Sequence, residues 1–370
     1  MAEGLLARRR IALVLATTTG GTGRHVRAVV DAALTAGAGV TVAGPATTDV
    51  AFGFTSGGAR FVPVEIGVRP RPFRDLATSQ SLRSATVGCD LVHAHGLRAA
   101  FLVAVRRRSD VPLVTTWHNA VLSGGRLQLV AGGLERLVAR RADVTLCVSG
   151  DLETRVRSLG GRDVRLAPVG SVPLRRTGRS AADVRAELAL EPGRPLVLSI
   201  GRLHRQKGFD TLVAAAALAR HQPRPHFVVA GDGPDREQLS RLIRELAAPV
   251  HLVGWRDDGG DLLSAADLVA MPSRWEGSPL AAHETLLAGR PLVATAVGGL
   301  PQLLAGGAAR LVAPDDPAAL AAAIDALLGE PQALAALARA GEERGREWPD
   351  GPTAARAVVD VYAELLGPAR

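Results

Sequence analysis

The groups best suited to chemistry in this chain are charges placed just after short apolar runs. Of its 44 basic residues one is a lysine, Lys207, in the segment Ser199-Ile-Gly-Arg-Leu-His-Arg-Gln-Lys-Gly-Phe-Asp210. Arg202 stands five residues earlier, and both follow the apolar run Leu196 to Ile200. A lysine ammonium is a compact point charge that sits among phosphate oxygens, whereas a guanidinium is a planar fork. A helix is predicted to open near Gly208, and helix N-termini favour anions. Two cations at such a turn suit a diphosphate.

A second constellation is Pro272-Ser-Arg-Trp-Glu-Gly-Ser-Pro-Leu-Ala-Ala-His-Glu284, with carboxylates at Glu276 and Glu284, eight residues apart. Glu276 precedes Gly277, Ser278 and Pro279, so it is expected on a loop. Gly277 or Ser278 would cap a helix with Pro279 in its first turn, and Glu284 would lie more than a turn inside. One carboxylate could then hold a sugar hydroxyl and the other a ribose. Exposed amides from Ser278 to Leu280 would face phosphate.

Weaker signals sit at other strand ends. Thr19-Gly-Gly-Thr-Gly-Arg24 follows the first apolar run, and Gly20 and Gly21 would let the backbone approach a ligand closely. No lysine completes a Walker pattern there, and no acidic residue ends the second strand as a dinucleotide fingerprint requires. Gly231-Asp-Gly-Pro234 reads as a structural turn, while Gly254 and Trp255 end a strand where a nucleobase could rest. His118 ends another strand and is a candidate for contact with substrate. His93 and His95 share a strand face, but no Cys or carboxylate cluster completes a metal site, so structural roles are expected for them. No metal and no cofactor are expected.

These positions need a scaffold that gathers strand ends. Ile11 to Ala16, Val40 to Ala43, Leu91 to His95, Leu113 to Trp117 and Val144 to Val148 read as buried strands alternating with helical stretches such as Arg24 to Thr35. The pattern restarts at Leu196 to Ile200, Phe227 to Ala230, Val250 to Val253, Leu268 to Met271 and Leu292 to Ala294. Alternation of this kind predicts α/β domains with parallel sheets, whose ligands bind at the carboxyl ends of the strands. We expect a first doubly wound domain over 1–172, a linker over 173–194, a second such domain over 195–350, and an amphipathic helix within 351–370.

Composition narrows the partners. The 370 residues are 47% apolar and 3% aromatic, which leaves little for base stacking, so nucleic acid is not expected. No run of about 18 apolar residues predicts a spanning helix. Residues 1–10 do not read as a signal peptide. Cys89 and Cys147 are expected as buried thiols in a reducing compartment, which gives a cytosolic reading. Residues 1–175 carry 23 Arg against 12 acidic residues, a balance of +11, with runs at Arg8 to Arg10, Arg69 to Arg74 and Arg106 to Arg108. Such a face could attract anionic lipid or an anionic acceptor.

Taken together, Gly201-Arg-Leu-His-Arg-Gln-Lys-Gly208, Gly231-Asp-Gly-Pro234, Glu276-Gly-Ser-Pro-Leu-Ala-Ala-His-Glu284, Val297-Gly-Gly-Leu-Pro301 and Asp90-Leu-Val-His-Ala-His95 resemble the retaining glycosyltransferases of family four. The resemblance spans nearly the whole chain. It implies the GT-B fold, two Rossmann-like domains facing each other across a cleft, with a final helix crossing back to the first. It implies a UDP- or GDP-sugar donor bound by the second domain. Arg202 and Lys207 would neutralise the diphosphate, Glu284 would hold the ribose, and Glu276 would contact the sugar with help from amides near Pro279 and Leu280. Gly21 would close over the phosphates, and His118 would lie by the sugar. The acceptor, a hydroxyl compound that could be lipid-linked, would bind the basic first domain. No Asp-x-Asp motif ends a strand, so the two cations would replace a metal, and substitution on one face of the ring would retain configuration.

The chain departs from the family at Pro168-Val-Gly-Ser-Val172, where Asn and Asp are usual. It departs again at Ser278-Pro279, where an aromatic and a glycine often stand, and at Gln302, where an acid is common. Other readings on such a scaffold are a nucleotide-sugar 2-epimerase, a phosphorylase with pyridoxal phosphate on Lys207, and a non-catalytic nucleotide-sugar binder.

Overall fold

A computed structural model describes residues 4–18, 20–67, 71–119, 126–171, 173–174 and 176–368. Thr19, Arg69 and Val172, named above, lie outside them. The chain forms two compact units, Met1–Gly170 with Pro349–Arg370, and Ser171–Trp348.

The first unit is built on strands β1 (Arg10–Leu15), β2 (Gly39–Gly44), β3 (Arg60–Pro63), β4 (Leu91–His95), β5 (Leu113–Trp117), β6 (Val144–Cys147) and β7 (Val164–Leu166). They make a seven-stranded sheet in the order β3-β2-β1-β4-β5-β6-β7, and its ladders are parallel. Every residue of β4 and β5 is buried, as expected of strands covered on both faces. The final helix, Gly351–Leu366, packs on helix Gly21–Thr35. Ala355, Val358, Val359 and Tyr362 join Val26, Val29, Val30 and Ala33 in one core with the β1 side chains. Arg9 donates to the carbonyl of Leu366 at 2.8 Å, and Arg165 pairs with Glu364 at 2.6 Å, so the C-terminal turn of that helix is fastened to the unit.

The second unit contains β8 (Leu196–Ile200), β9 (His226–Ala230), β10 (Val250–Gly254), β11 (Leu268–Met271), β12 (Leu292–Thr295) and β13 (Arg310–Val312). Their six-stranded sheet runs β10-β9-β8-β11-β12-β13, again through parallel ladders. Alternate side chains of each strand feed cores on opposite faces: Leu196 and Leu198 on one, Val197 on the other. Residues 173–194, expected as a linker, carry helix Ala181–Glu187 and belong to this unit. Ser180 and Asp183 form a capping box, and Val184 and Leu190 are buried in the core.

The strands not expected from sequence are β3, β7 and β13. Each ends its part of a sheet and is half exposed. None needs the continuous apolar run by which a buried strand is recognised.

Candidate active site

In the second unit, β8 leads into a turn that carries both cations. Leu203 is fully buried and anchors the turn, while Arg202 is exposed and makes no hydrogen bond or ion pair with another described residue. Arg205–Lys207 form one turn of 3₁₀ helix, and helix Phe209–Leu218 starts beyond Gly208. Gly208 has φ +65°, and a Cβ there would stand 2.0 Å from the carbonyl oxygen of Pro272. Only glycine allows this approach of the turn to the segment after β11.

That approach brings Lys207 to Glu276. Lys207 Nζ donates to Glu276 Oε1 at 2.6 Å, and Ser273 Oγ donates to the same oxygen at 2.6 Å. The two segments are also joined by Gln206 Nε2 donating to the Trp275 carbonyl at 3.0 Å and by the Arg274 amide donating to the Gln206 carbonyl at 2.8 Å. Arg274 grips Asp210 through two hydrogen bonds, of 3.0 and 2.8 Å. Glu276 is buried. Its carbonyl accepts the amide of Gly299 at 2.8 Å, and a Cβ on Gly298, at φ +53°, would stand 1.8 Å from that carbonyl oxygen. The loop after β12 therefore buttresses the Glu276 backbone.

Helix Leu280–Leu287 follows. Pro279 occupies the cap position, and no side chain caps the helix, so the expectation that Gly277 or Ser278 would cap it is corrected. Pro279 lacks an N–H and sits in extended backbone, so the helix begins one residue beyond it. The Ala282 and His283 amides donate to the Pro279 carbonyl at 3.1 and 3.4 Å, and the amides of Leu280 and Ala281, ahead of them in the first turn, have no intrahelical acceptor. Of the segment Ser278 to Leu280, expected as exposed, Ser278 is half-buried and Pro279 and Leu280 are buried. Glu284 is buried on this helix, one turn in. At the end of β10 the Gly254 carbonyl accepts the Gly231 amide at 2.7 Å, and Trp255 is 73% exposed. This unit thus brings Lys207, Glu276 and Ser273 into direct contact on the same side of the sheet, where β8, β10 and β11 end.

In the first unit, Gly20 is exposed at the cap of helix Gly21–Thr35, which no side chain caps. His118 follows β5 and is buried. It lies in a cluster of four imidazoles that the sequence reading missed as a set. His95 Nδ1 is 3.2 Å from His118 Nε2. The His25 ring is 5.9 Å from that of His95 and 5.7 Å from that of His118, and the His93 and His95 rings are 4.0 Å apart. His93 bonds Tyr362 through Nδ1 at 2.5 Å and Thr116 through Nε2 at 2.7 Å. Burial pushes His25 down from 6.5 to about 4. Burial, with neighbouring His25, takes His118 to about 3. His93 and His95 are held well below the ordinary range for the same reason, so the cluster is uncharged at neutral pH.

Among the described residues no group of three or more His, Cys, Asp or Glu is arranged to hold a metal ion. Cys89 and Cys147 are unpaired and buried, and burial raises the Cys147 thiol to about 12. No single described helix is long and apolar enough to cross a bilayer.

Two family models match. Residues 19–170 match "Glycosyltransferase Family 4", and residues 194–330 match "Glycosyl transferases group 1". The glycogen synthase of Mycobacterium tuberculosis is 32% identical over 305 residues, covering 78% of this chain and 71% of that protein. The D-inositol 3-phosphate glycosyltransferase of Xylanimonas cellulosilytica is 35% identical over 313 residues, covering 74% and 72%. Among solved structures, Anabaena HepE shares the fold with a TM-score of 0.81 at 20% identity, covering 96% of this chain and 100% of that one. The two parallel sheets, their glycine-set turns and these matches agree: the chain belongs to the family 4, group 1 glycosyltransferases and has the GT-B fold.

Proposed function

We propose that this enzyme transfers a sugar from a nucleotide-diphospho-sugar to an acceptor hydroxyl with retention of configuration and without a divalent metal. The observation that carries this reading is the turn after β8. There Arg202 is unpaired among the described residues, Lys207 is held on Glu276, and an uncapped helix N-terminus follows at Leu280. Breaking a glycosyl–phosphate bond develops negative charge on the diphosphate, and fixed cations and amides oriented in advance stabilise it. Arg202, Lys207 and the amides of Gly277, Ser278 and Leu280 are assigned to the diphosphate. Glu284 is assigned to the ribose, Gly254 and Trp255 to the base, Glu276 to the sugar, Gly20 and Gly21 to the phosphates, and His118 to a sugar oxygen.

The donor to try first is a UDP sugar, because structures of HepE contain UDP and UDP-glucose. A GDP sugar is the second choice. The acceptor is assigned to the first unit, as a lipid-linked or other anionic hydroxyl compound. Its Arg excess supports this, as do Phe73, 93% exposed, and Leu76, 53% exposed, beside Arg71 and Arg74. Peripheral contact with an anionic membrane on the cytoplasmic side follows from the same surface.

A thermal-shift panel of nucleotide sugars tests the donor. The cognate one should raise the melting midpoint with the logarithm of its concentration, in the presence of a chelator, and the free nucleotide should be released when acceptor is added. No shift with any UDP or GDP sugar would overturn the reading. Vesicles with and without anionic lipid test the membrane contact, which should be lost at high salt.

A further inference from the structure

We propose that His95 is the positioning residue for His118: it engages His118 Nε2 and so leaves Nδ1, carrying the proton, as the nitrogen presented to substrate. The proposal rests on the assignment of His118 to a sugar oxygen and adds to it which atom acts, as a hydrogen-bond donor, and what holds it there.

The geometry allows two arrangements. His95 Nδ1 and His118 Nε2 are 3.2 Å apart, and one of them carries the hydrogen. His118 Nδ1 makes no hydrogen bond to a described residue. His95 Nε2 is buried without a partner among the described residues. If His118 donated to His95, the His95 proton would sit on Nε2 as a buried N–H with no acceptor among the described residues. If His95 donates to His118, the unpaired atom at Nε2 is a bare lone pair. Unpaired buried donors are the rarer of the two in folded proteins. The second arrangement therefore holds, and it places the His118 proton on Nδ1.

The neighbouring imidazole fixes the His95 ring. Tyr362 is fully buried, and the hydrogen-bond partner of its hydroxyl among the described residues is His93 Nδ1. The hydroxyl hydrogen would be stranded unless Tyr362 donates. His93 is then protonated on Nε2 and donates to Thr116 Oγ1. With both nitrogens engaged, the His93 ring is locked, and its centroid lies 4.0 Å from that of His95. A chain of fixed rings thus runs from the final helix to His118. Its end presents a donor whose direction is set before substrate arrives, at no cost in reorganisation.

Long-range proton–nitrogen correlation spectra of uniformly ¹⁵N-labelled wild-type protein at neutral pH read the tautomer directly, with His118 assigned from the peak lost in His118→Asn. The expected result is a pyrrole-type Nδ1 and a bare Nε2 on His118. The opposite pattern overturns the proposal. Two variants provide a second readout. His95→Asn keeps an amide donor near the Nδ1 position and should retain turnover within about threefold. His95→Asp offers only acceptors, draws the His118 proton to Nε2, and should lower kcat by about tenfold or more with KM little changed. It should also shift the pH profile upward, because a carboxylate stabilises the imidazolium. Equal turnover in both variants, with wild-type protein active, overturns the positioning role and leaves the glycosyl-transfer reading standing. A wild-type protein that binds no nucleotide sugar removes that reading, and the spectra still decide the tautomer.

Discussion

Lys207 and Glu276 lie 69 residues apart in sequence and 2.6 Å apart in space, with side chains 24% and 6% exposed. Each is the other's counter-ion in the ligand-free protein. The carboxylate needs the ammonium more than the reverse, because it is the more buried partner. A diphosphate arriving at this turn would meet an ammonium already oriented by Glu276 and a carboxylate already fixed by Ser273.

Separate tests of stability and turnover follow from that pairing. Lys207→Met removes the cation and leaves Glu276 with the Ser273 hydroxyl. Unfolding free energy should fall by about 1–3 kcal/mol, and turnover by about two orders of magnitude. Glu276→Gln in the same chain should restore most of the stability and none of the turnover. Urea unfolding and single-turnover kinetics on the two single variants and the double variant check this. Additive stability losses would show that the pair does not couple.

Gly298 provides a backbone test of the same site. Alanine there meets both a left-handed φ and the Glu276 carbonyl, whereas Gly306, at φ +72°, has nothing within 4 Å of its Cβ position. Gly306→Ala should cost about 1–2 kcal/mol for the backbone alone and leave turnover unchanged. Gly298→Ala should cost roughly 3 kcal/mol or more and also reduce turnover, because relief of the clash moves the Glu276 backbone. Equal effects of the two substitutions on both readouts would mean that the buttress carries no part of the site.

What was legible in the sequence was local. Lys207 and Arg202 were readable because both lie within seven residues of one strand, and Glu276 and Glu284 because a single helix start separates them. Long apolar runs gave the central strands, and the parallel α/β class followed. The half-exposed edge strands β3, β7 and β13 lacked that signal. Ser273 gave none either, since a serine three residues before a glutamate is ordinary. The imidazole cluster needed the strand order. Only because β4 lies between β1 and β5 do His95, His118 and the helix that follows β1, with His25, end at one place. Tyr362 reaches His93 from 269 residues away, a pairing no spacing rule could give.

That distant pairing can be measured. Tyr362→Phe keeps the ring in the core and removes only the hydroxyl that satisfies His93 Nδ1. The lost bond leaves a buried nitrogen unpaired, so stability should fall by about 1–3 kcal/mol. His93→Phe added to Tyr362→Phe should cost less than the two separate losses combined, because the polar pair is then absent as a whole. Thermal melts followed by circular dichroism decide it. A Tyr362→Phe protein as stable as wild type would mean that the hydroxyl contributes nothing to docking the final helix.

The same cluster sets an acid limit. His25, His93, His95 and His118 pack against one another, with Tyr362 and Thr116 as uncharged hydrogen-bond partners of His93. Their folded pKa values lie below the ordinary 6.5, at about 4 for His25 and about 3 for His118. As pH falls through 6.5 the unfolded chain therefore takes up protons that the folded unit does not. Their effect on stability is nil above 6.5, turns destabilising as pH falls toward 4, and levels off below the folded values. Each such imidazole contributes at most about 1.4 kcal/mol per pH unit in that window. Carboxylates held low by arginine, such as Asp163 and Glu364, lose their contribution only at still lower pH. Urea midpoints between pH 7.5 and 5 thus isolate the histidines. The midpoint should fall steadily over this range, and His25→Gln should flatten the fall. A midpoint that stays level from pH 7.5 to 5 would mean that these rings reach solvent and titrate freely in the folded protein.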